Sequence, residues 1–411
     1  MKKILLLVLS LLSLNGFAQW PGGNGGWPGG NGGWPGGGDG GFNGNGASNQ
    51  GNINSYKSEK DIDYVGDNAT GHKMDIYFPK DDGNDKHPVL IHIYGSAWMM
   101  NNMKGSADQG TVGVAVLEAG YILVNPNHRS ISDAKWPAQI NDIKALVRFL
   151  RGNAEKYGID TSFIAVSGFS SGGHLASVMA TSRNVKGVYT KGSASADIEG
   201  DLGRYTNESS WVDAACDWSG PVDCRNKACA GNGGGMAPED DIVGGCNAHS
   251  CPDRHALLSA TEYIDATDAP IFVAHGSADQ TVPQCEGKMF FDDLQRAGVE
   301  DCEYHPHGGD HGVNGSLTGD MVKFLNKIRA KKAAASVGVS ISMSGDQYIC
   351  YDGEVLKICN NEENQYDYFI SDVSGKVIMT GVMTPEGINI SSLNKGVYFL
   401  RTNGVSFKFI K

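Results

Sequence analysis

Five short apolar runs punctuate the middle of the chain, and each ends in turn formers: PVLIHIYG (88–95), YILVNPN (121–127), FIAVSG (163–168), AACDWSG (214–220) and PIFVAHG (270–276). Runs of this length, bounded by Gly, Asn and Ser, predict strands buried on both faces. Between them apolar residues recur at helical spacing, as over 137–157 and 287–297. Strands alternating with helices predict an α/β fold, a mostly parallel sheet with helices on both faces, occupying residues 56–335. Ligands of such sheets bind beyond the carboxyl ends of the strands.

The pattern changes at both ends. Beyond 335 the segments YFISDVSGKVIMTGVM, INISSL and KGVYFLRTNGVSFKFIK alternate apolar and polar residues and are broken by Ser-Gly and Asn-Gly. They predict a small antiparallel β-sandwich over 340–411. At the other end Lys2 and Lys3, an apolar run from Ile4 to Leu14 and the small-residue pattern Gly16, Phe17, Ala18 read as a secretory signal over 1–18. The run is too short for a bilayer. Residues 19–55, opening WPGGNGGWPGGNGGWPGGGDGG, form a Gly-rich tether whose backbone entropy opposes ordering. Its Trp20, Trp27 and Trp34 suit either stacking on sugar rings or a plain solvated linker.

Composition narrows the partners. Of 411 residues 19% are charged, and the formal charge is -12. Removing Lys2 and Lys3 with a signal that carries no Asp or Glu takes it to -14. Such a chain lacks a basic footprint for nucleic acid or anionic lipid and suits a neutral substrate. Nine cysteines in an exported chain point to disulfides, with local couples Cys224 and Cys229, Cys246 and Cys251, Cys285 and Cys302, and Cys350 and Cys359. Cys216 is left over as a buried thiol. No cysteine stands with histidine at zinc-site spacing, which favours disulfides over metal ligation.

The candidate chemistry begins at GFSSGGHLA (168–176), which follows the strand FIAVSG and opens a helix. Gly168, Ser170 and Gly172 fit G-x-S-x-G, a strained strand-to-helix turn that exposes a serine nucleophile beside a helix amino end. Ser167 and Ser171 are rival hydroxyls, one on the strand and one past the turn. A serine needs a base held by a carboxylate. HGSADQTVP (275–283) sets Asp279 just past a buried strand, and HPHGGDHG (305–312) sets His311 in a glycine-rich loop before the last helix. The order Ser170, Asp279, His311 suits this fold. His174, His275, His305 and His307 read as structural, and Asp310 points away if His311 points inward.

An acyl transfer also needs oxyanion donors. The N–H of Ser171 is one, and the turn Gly95, Ser96, Ala97 supplies the others unless it demands positive φ. Trp98 then lines the pocket as a substrate contact or packs the turn.

Together these residues resemble a known family. PAQINDIKALVRFLRGNAEKYGID (137–160), GFSSGGHLA, DWSGPVD (217–223) and HGSADQTVP are similar to the α/β-hydrolase carbohydrate esterases related to bifunctional feruloyl and acetyl xylan esterases, over roughly 60–330. The resemblance implies a serine esterase that removes acetyl or feruloyl groups from plant cell-wall polysaccharide without a metal or cofactor, with nucleophile, acid and base at Ser170, Asp279 and His311. Two departures stand out: the family usually has a glycine-rich oxyanion turn and an alanine after the nucleophile, where this chain has Gly95-Ser96-Ala97 and Ser171. The cysteine-rich insertion from Cys216 to Cys251 is expected near the reactive end of the sheet.

The tail, through SDVSGKVIMTG (371–381), INISSLNKGVYFLRTNG (388–404) and SFKFIK, resembles the C-terminal sorting domain of proteins exported by the type IX secretion system of Bacteroidetes. That implies passage through the periplasm to the cell surface or medium. The competing readings are a non-catalytic carbohydrate-binding surface protein and, among enzymes, a lipase or peptidase on the same fold.

Overall fold

The computed structural model describes residues 51–225, 229, 238–337, 348–351, 355–359, 366–384, 387–394, 396–402 and 405–411. The secretory signal and nearly all of the Gly-rich tether lie outside the described residues. Strands β1 (Ser58–Asp63), β2 (Lys73–Tyr77), β3 (His87–Ile93), β4 (Ile122–Pro126), β5 (Ile159–Phe169), the hairpin β6 (Val188–Lys191) and β7 (Ala194–Asp197), β8 (Ala214–Trp218), β9 (Ile271–Gly276) and β10 (Glu303–His307) alternate with helices. These are α1 (Val114–Glu118), α2 (Ala138–Gly152), α3 (Ala154–Tyr157), α4 (Ser171–Thr181), α5 (Pro238–Ile242), α6 (Pro252–Leu258), α7 (Cys285–Ala297) and α8 (Thr318–Val337).

Eight strands form one sheet in the order β1-β2-β4-β3-β5-β8-β9-β10. From β4 to β10 every pairing is parallel, and β1 and β2 add an antiparallel edge. The five strands read from the sequence are the contiguous centre. Their apolar runs hide an alternation. Val89, Ile91, Ile122, Val124, Ile164, Val166, Ile271 and Val273 face one core with residues of α2, α4 and α7, while Leu90, Leu123, Phe163, Ala165, Cys216 and Phe272 face a second with α1 and α8. Each strand splits its side chains between two layers, because successive residues point to opposite faces.

Local details depart from expectation. The helix expected over 137–157 breaks at Asn153, whose Nδ2 donates to the Phe149 carbonyl, and α3 ends at Gly158 with φ 62°. Ile53 is already buried in the core, so packing starts ahead of the expected boundary at 56.

The cysteine couples are largely corrected. Cys246 does bond Cys251, but Cys229 bonds Cys285, at a sequence separation of 56, in place of Cys224 with Cys229 and Cys285 with Cys302. Nearness along the chain is the wrong measure here, because the fold brings the insertion against the first turn of α7. Cys216 and Cys302 are buried thiols; Cys302 Sγ accepts the Ile271 N–H. Opening the Cys229–Cys285 loop should lower stability by about 4 kcal/mol. Thermal melts of the oxidised and reduced protein, and of Cys285→Ser, check this; equal melting temperatures would refute it.

The C-terminal strands are β11 (Tyr348–Tyr351), β12 (Val355–Cys359), β13 (Tyr366–Asp372), β14 (Val377–Met383), β15 (Ile388–Asn389), β16 (Val397–Thr402) and β17 (Val405–Ile410). They make two antiparallel sheets, β11-β12-β15 and β14-β13-β16-β17. Leu356 and Ile388 from the first share a core with Ile370, Leu400 and Phe407 from the second. The Ser374-Gly375 turn joins β13 to β14, with Gly375 at φ 83° and Asp372 accepting the N–H groups of Ser374 and Lys376. Cys350 sits opposite Lys357, not Cys359, in the backbone register; the side chains of Cys350 and Cys359 lie outside the described residues.

Candidate active site

Strand β5 and helix α4 meet at Ser170, which occupies the strained conformation φ 54°, ψ -122°. A non-glycine residue at positive φ costs free energy that its surroundings must offset. Here the Ser170 N–H donates to the Trp218 carbonyl at 2.8 Å, and the Ser170 carbonyl accepts the His174 N–H at 2.9 Å. Glycine is required on both sides. A Cβ on Gly172 would lie 2.2 Å from the Ile93 carbonyl oxygen, and one on Gly168 would lie 2.2 Å from that of Gly172. Strand and helix can fold back this sharply only where backbone meets backbone.

The two partners arrive from the ends of β9 and β10. In the loop after β9, Asp279 Oδ1 accepts the N–H groups of Thr281 and Val282 at 2.9 Å each, which aims Oδ2 outward. His311 Nδ1–H donates to that Oδ2 at 2.8 Å. Ser170 Oγ–H in turn donates to His311 Nε2 at 3.0 Å. Three residues far apart in sequence thus form one hydrogen-bonded chain. The Asp279 side chain is fully buried and that of His311 is 13% exposed, so the chain runs from the interior to an accessible hydroxyl. Asp310 accepts the N–H of His311 and takes no part.

A second histidine touches Asp279, and sequence reasoning missed its contact. His275 Nε2 donates to the Val282 carbonyl at 2.8 Å and lies 3.4 Å from Asp279 Oδ2, with both side chains buried. Burial acts to raise the Asp279 carboxyl, but the hydrogen bonds from His275 and His311 outweigh it and hold the group well below the usual carboxylate range. Spacing alone could have found it: His275 and Asp279 flank one tight loop, four residues apart.

Other buried acids shift the opposite way. Burial pushes Asp217 up to about 6, Glu286 up to about 7 and Asp268 up to about 8. A carboxyl whose folded value is raised adds stability that is complete below its unfolded value near about 4 and is lost as pH rises through the folded value. Asp279, being depressed, contributes above about pH 4 and loses that contribution below it. The contribution of these carboxyls should therefore be greatest near about pH 4, where the unfolded acids begin to release protons that the folded ones keep, and should fall progressively toward pH 8. Melting curves across that range check this, and a melting temperature that rises from pH 5 to pH 8 would refute it.

The turn expected to supply the oxyanion donors differs from that expectation in two ways. Gly95 presses on the turn that carries Ser170, since a Cβ there would lie 2.8 Å from Ser170 Cβ. The N–H of Ser96, expected to face the reacting oxygen, donates instead to Ser171 Oγ at 2.9 Å. The Ser171 hydroxyl is what captures it. Ala97 and Trp98 take the positive φ, at 49° and 56°. Trp98 does not line a pocket: it is 1% exposed, with its ring edge-on to His174 at 5.0 Å. The exposed apolar side chains beside the turn are Met99 and Met100.

The remaining histidines have structural partners. His174 Nε2 donates to the Leu258 carbonyl, and burial pulls the ring down to about 4. His305 stacks on Phe272, and His307 Nδ1 accepts the Gly309 N–H.

Comparison with known proteins gives a consistent grouping. A family model described as BD-FAE matches residues 74–294, and one described as a secretion system C-terminal sorting domain matches 353–411. Among solved structures, a bifunctional GH43-CE of Bacteroides eggerthii is 43% identical with a TM-score of 0.62, over 66% of this chain and 38% of that one. A truncated carbohydrate esterase from gut microbiota is 37% identical with a TM-score of 0.63, over 67% of this chain and 97% of that one. Esterase LipQ of Mycobacterium tuberculosis is 30% identical over 53% of this chain and 48% of its own length. The chain spans about half of that relative.

Proposed function

This chain belongs to the BD-FAE family of α/β-hydrolases, and from that premise we propose that it is a serine esterase cutting acetyl or feruloyl esters from plant cell-wall polysaccharide. It is a carbohydrate-esterase-like hydrolase with a sorting tail that marks it for type IX export to the cell surface or medium. The observation that carries the finer reading is the hydrogen-bonded chain from Asp279 through His311 to Ser170.

In the proposed reaction Ser170 Oγ attacks the ester carbonyl while His311 Nε2 takes its proton. Asp279 holds Nδ1–H, keeps Nε2 as the acceptor and stabilises the imidazolium. His311 returns the proton to the leaving alkoxide of the sugar. Water, deprotonated by the same nitrogen, then releases the acid from the acyl enzyme. The backbone N–H groups of Ser171 and Gly95 bind the tetrahedral oxyanion. A secretory signal over 1–18 and transit of the periplasm complete the proposal.

Acetate and ferulate release, measured side by side from acetylated xylan and feruloylated arabinoxylan, test it. Release of either supports the reading and names the acyl group. No release from either, with binding to insoluble xylan retained, would replace it with a non-catalytic surface-binding role.

A further inference from the structure

A second Ser, His and Asp chain lies beneath the first. His92 and Ser167 are direct neighbours across the parallel pair β3 and β5, and His92 Nδ1 lies 3.0 Å from Ser167 Oγ. On its other side His92 Nε2 lies 3.1 Å from Asp108 Oδ2. A carboxylate only accepts, which puts a hydrogen on Nε2, and the neutral ring then accepts the Ser167 hydroxyl at Nδ1. The wiring matches that of Ser170, His311 and Asp279 with the two ring nitrogens exchanged. Ser167 and His92 are both fully buried, so this serine has no path to a substrate.

Its placement suggests what it does. Ser167 is three residues before Ser170 on β5, and His92 is three before Gly95 on β3. Asp108 belongs to the segment that returns from the oxyanion turn, and it holds φ 45°. One ring therefore ties together the strand that delivers the nucleophile, the strand that delivers the oxyanion turn and the far end of that turn's loop. An apolar trio of similar volume would fill the same space without the desolvation cost, whereas a satisfied polar network fixes one arrangement. Resting on the triad reading above, we propose that Ser167, His92 and Asp108 are positioning residues that hold the oxyanion turn at its working distance from Ser170. They touch no substrate, and they act by keeping Gly95 and the Ser171 N–H in register where charge develops in the transition state.

The test uses the full chain, p-nitrophenyl acetate, and a boronic acid as mimic of the tetrahedral adduct, with every protein well below its melting temperature. Asp108→Asn and His92→Ala should lower kcat about 10- to 100-fold, because small misplacements of a site cost that much. KM should stay within about twofold, since the oxyanion contact is made in the transition state. Boronate inhibition should weaken by the same factor as kcat. His92→Gln, which returns an N–H toward Asp108, should recover part of both. Should His92→Ala not fold, Asp108→Asn decides alone, its side chain being 22% exposed. Folded variants that keep parental kcat and boronate affinity, whatever their melting temperatures, would overturn the relay and leave the triad standing. A parent without turnover would overturn the triad reading and the relay with it.

Discussion

Replacing Ser170 with alanine should abolish ester hydrolysis while leaving the fold intact. Removal of the nucleophile from a serine triad lowers turnover about a millionfold, and what remains is the contribution of binding and oxyanion contacts. The fold should survive because nothing that shapes the turn depends on Oγ. The Ser170 N–H bond to Trp218 and its carbonyl bond from His174 are both backbone contacts. Alanine tolerates φ 54° no worse than serine does, so the melting temperature should move by only a few degrees. Two readouts check this together: hydrolysis of p-nitrophenyl acetate, and covalent labelling by a fluorophosphonate, read as a mass increase on the peptide carrying Ser170. Parental turnover in the variant, or label on another serine, would remove Ser170 as nucleophile.

Much of this site is visible in the sequence because it is built from strand ends. Buried parallel strands are continuous apolar runs, and the residues just past them stand at the reactive edge of the sheet; Ser170 and Asp279 could be placed that way without knowing any distance, and His311 by the glycine-rich loop that precedes the last helix. The edge strands were less legible. SEKDID of β1 is mostly exposed and carries four charged residues, and EYHPH of β10 contains a proline and two histidines, so neither offers the pattern of a buried strand. Disulfide pairing and the contact of Ser96 with Ser171 were hidden for a different reason. Both depend on which surfaces the finished fold brings together, over 56 residues in one case and 75 in the other. His92 illustrates the same limit: it sits inside an apolar run as an apparent blemish, and only the pairing of β3 with β5 shows that its partner is Ser167.

The role of Asp279 can be separated from that of a loop anchor by changing it to asparagine. The Oδ1 atom already accepts two backbone N–H groups, from Thr281 and Val282. An asparagine keeps those bonds by placing its carbonyl oxygen there, which forces its NH2 group to the position of Oδ2. That group faces His311 Nδ1 and His275 Nε2, and it can only donate. His311 must then accept at Nδ1 and carry its hydrogen on Nε2, pointing at the Ser170 hydroxyl it is meant to deprotonate. Turnover should fall about ten-thousandfold, as expected when a triad histidine is held in the wrong tautomer, with KM little changed. The lost activity should partly return at alkaline pH, where hydroxide can assist deprotonation of Ser170. Comparison with Asp279→Ala sharpens the point, since alanine loses the loop bonds as well and should melt at a lower temperature than the asparagine variant. If asparagine retained turnover within about tenfold of the parent, the tautomer would not be what Asp279 controls. The short contact to His311 would then serve the loop rather than the reaction.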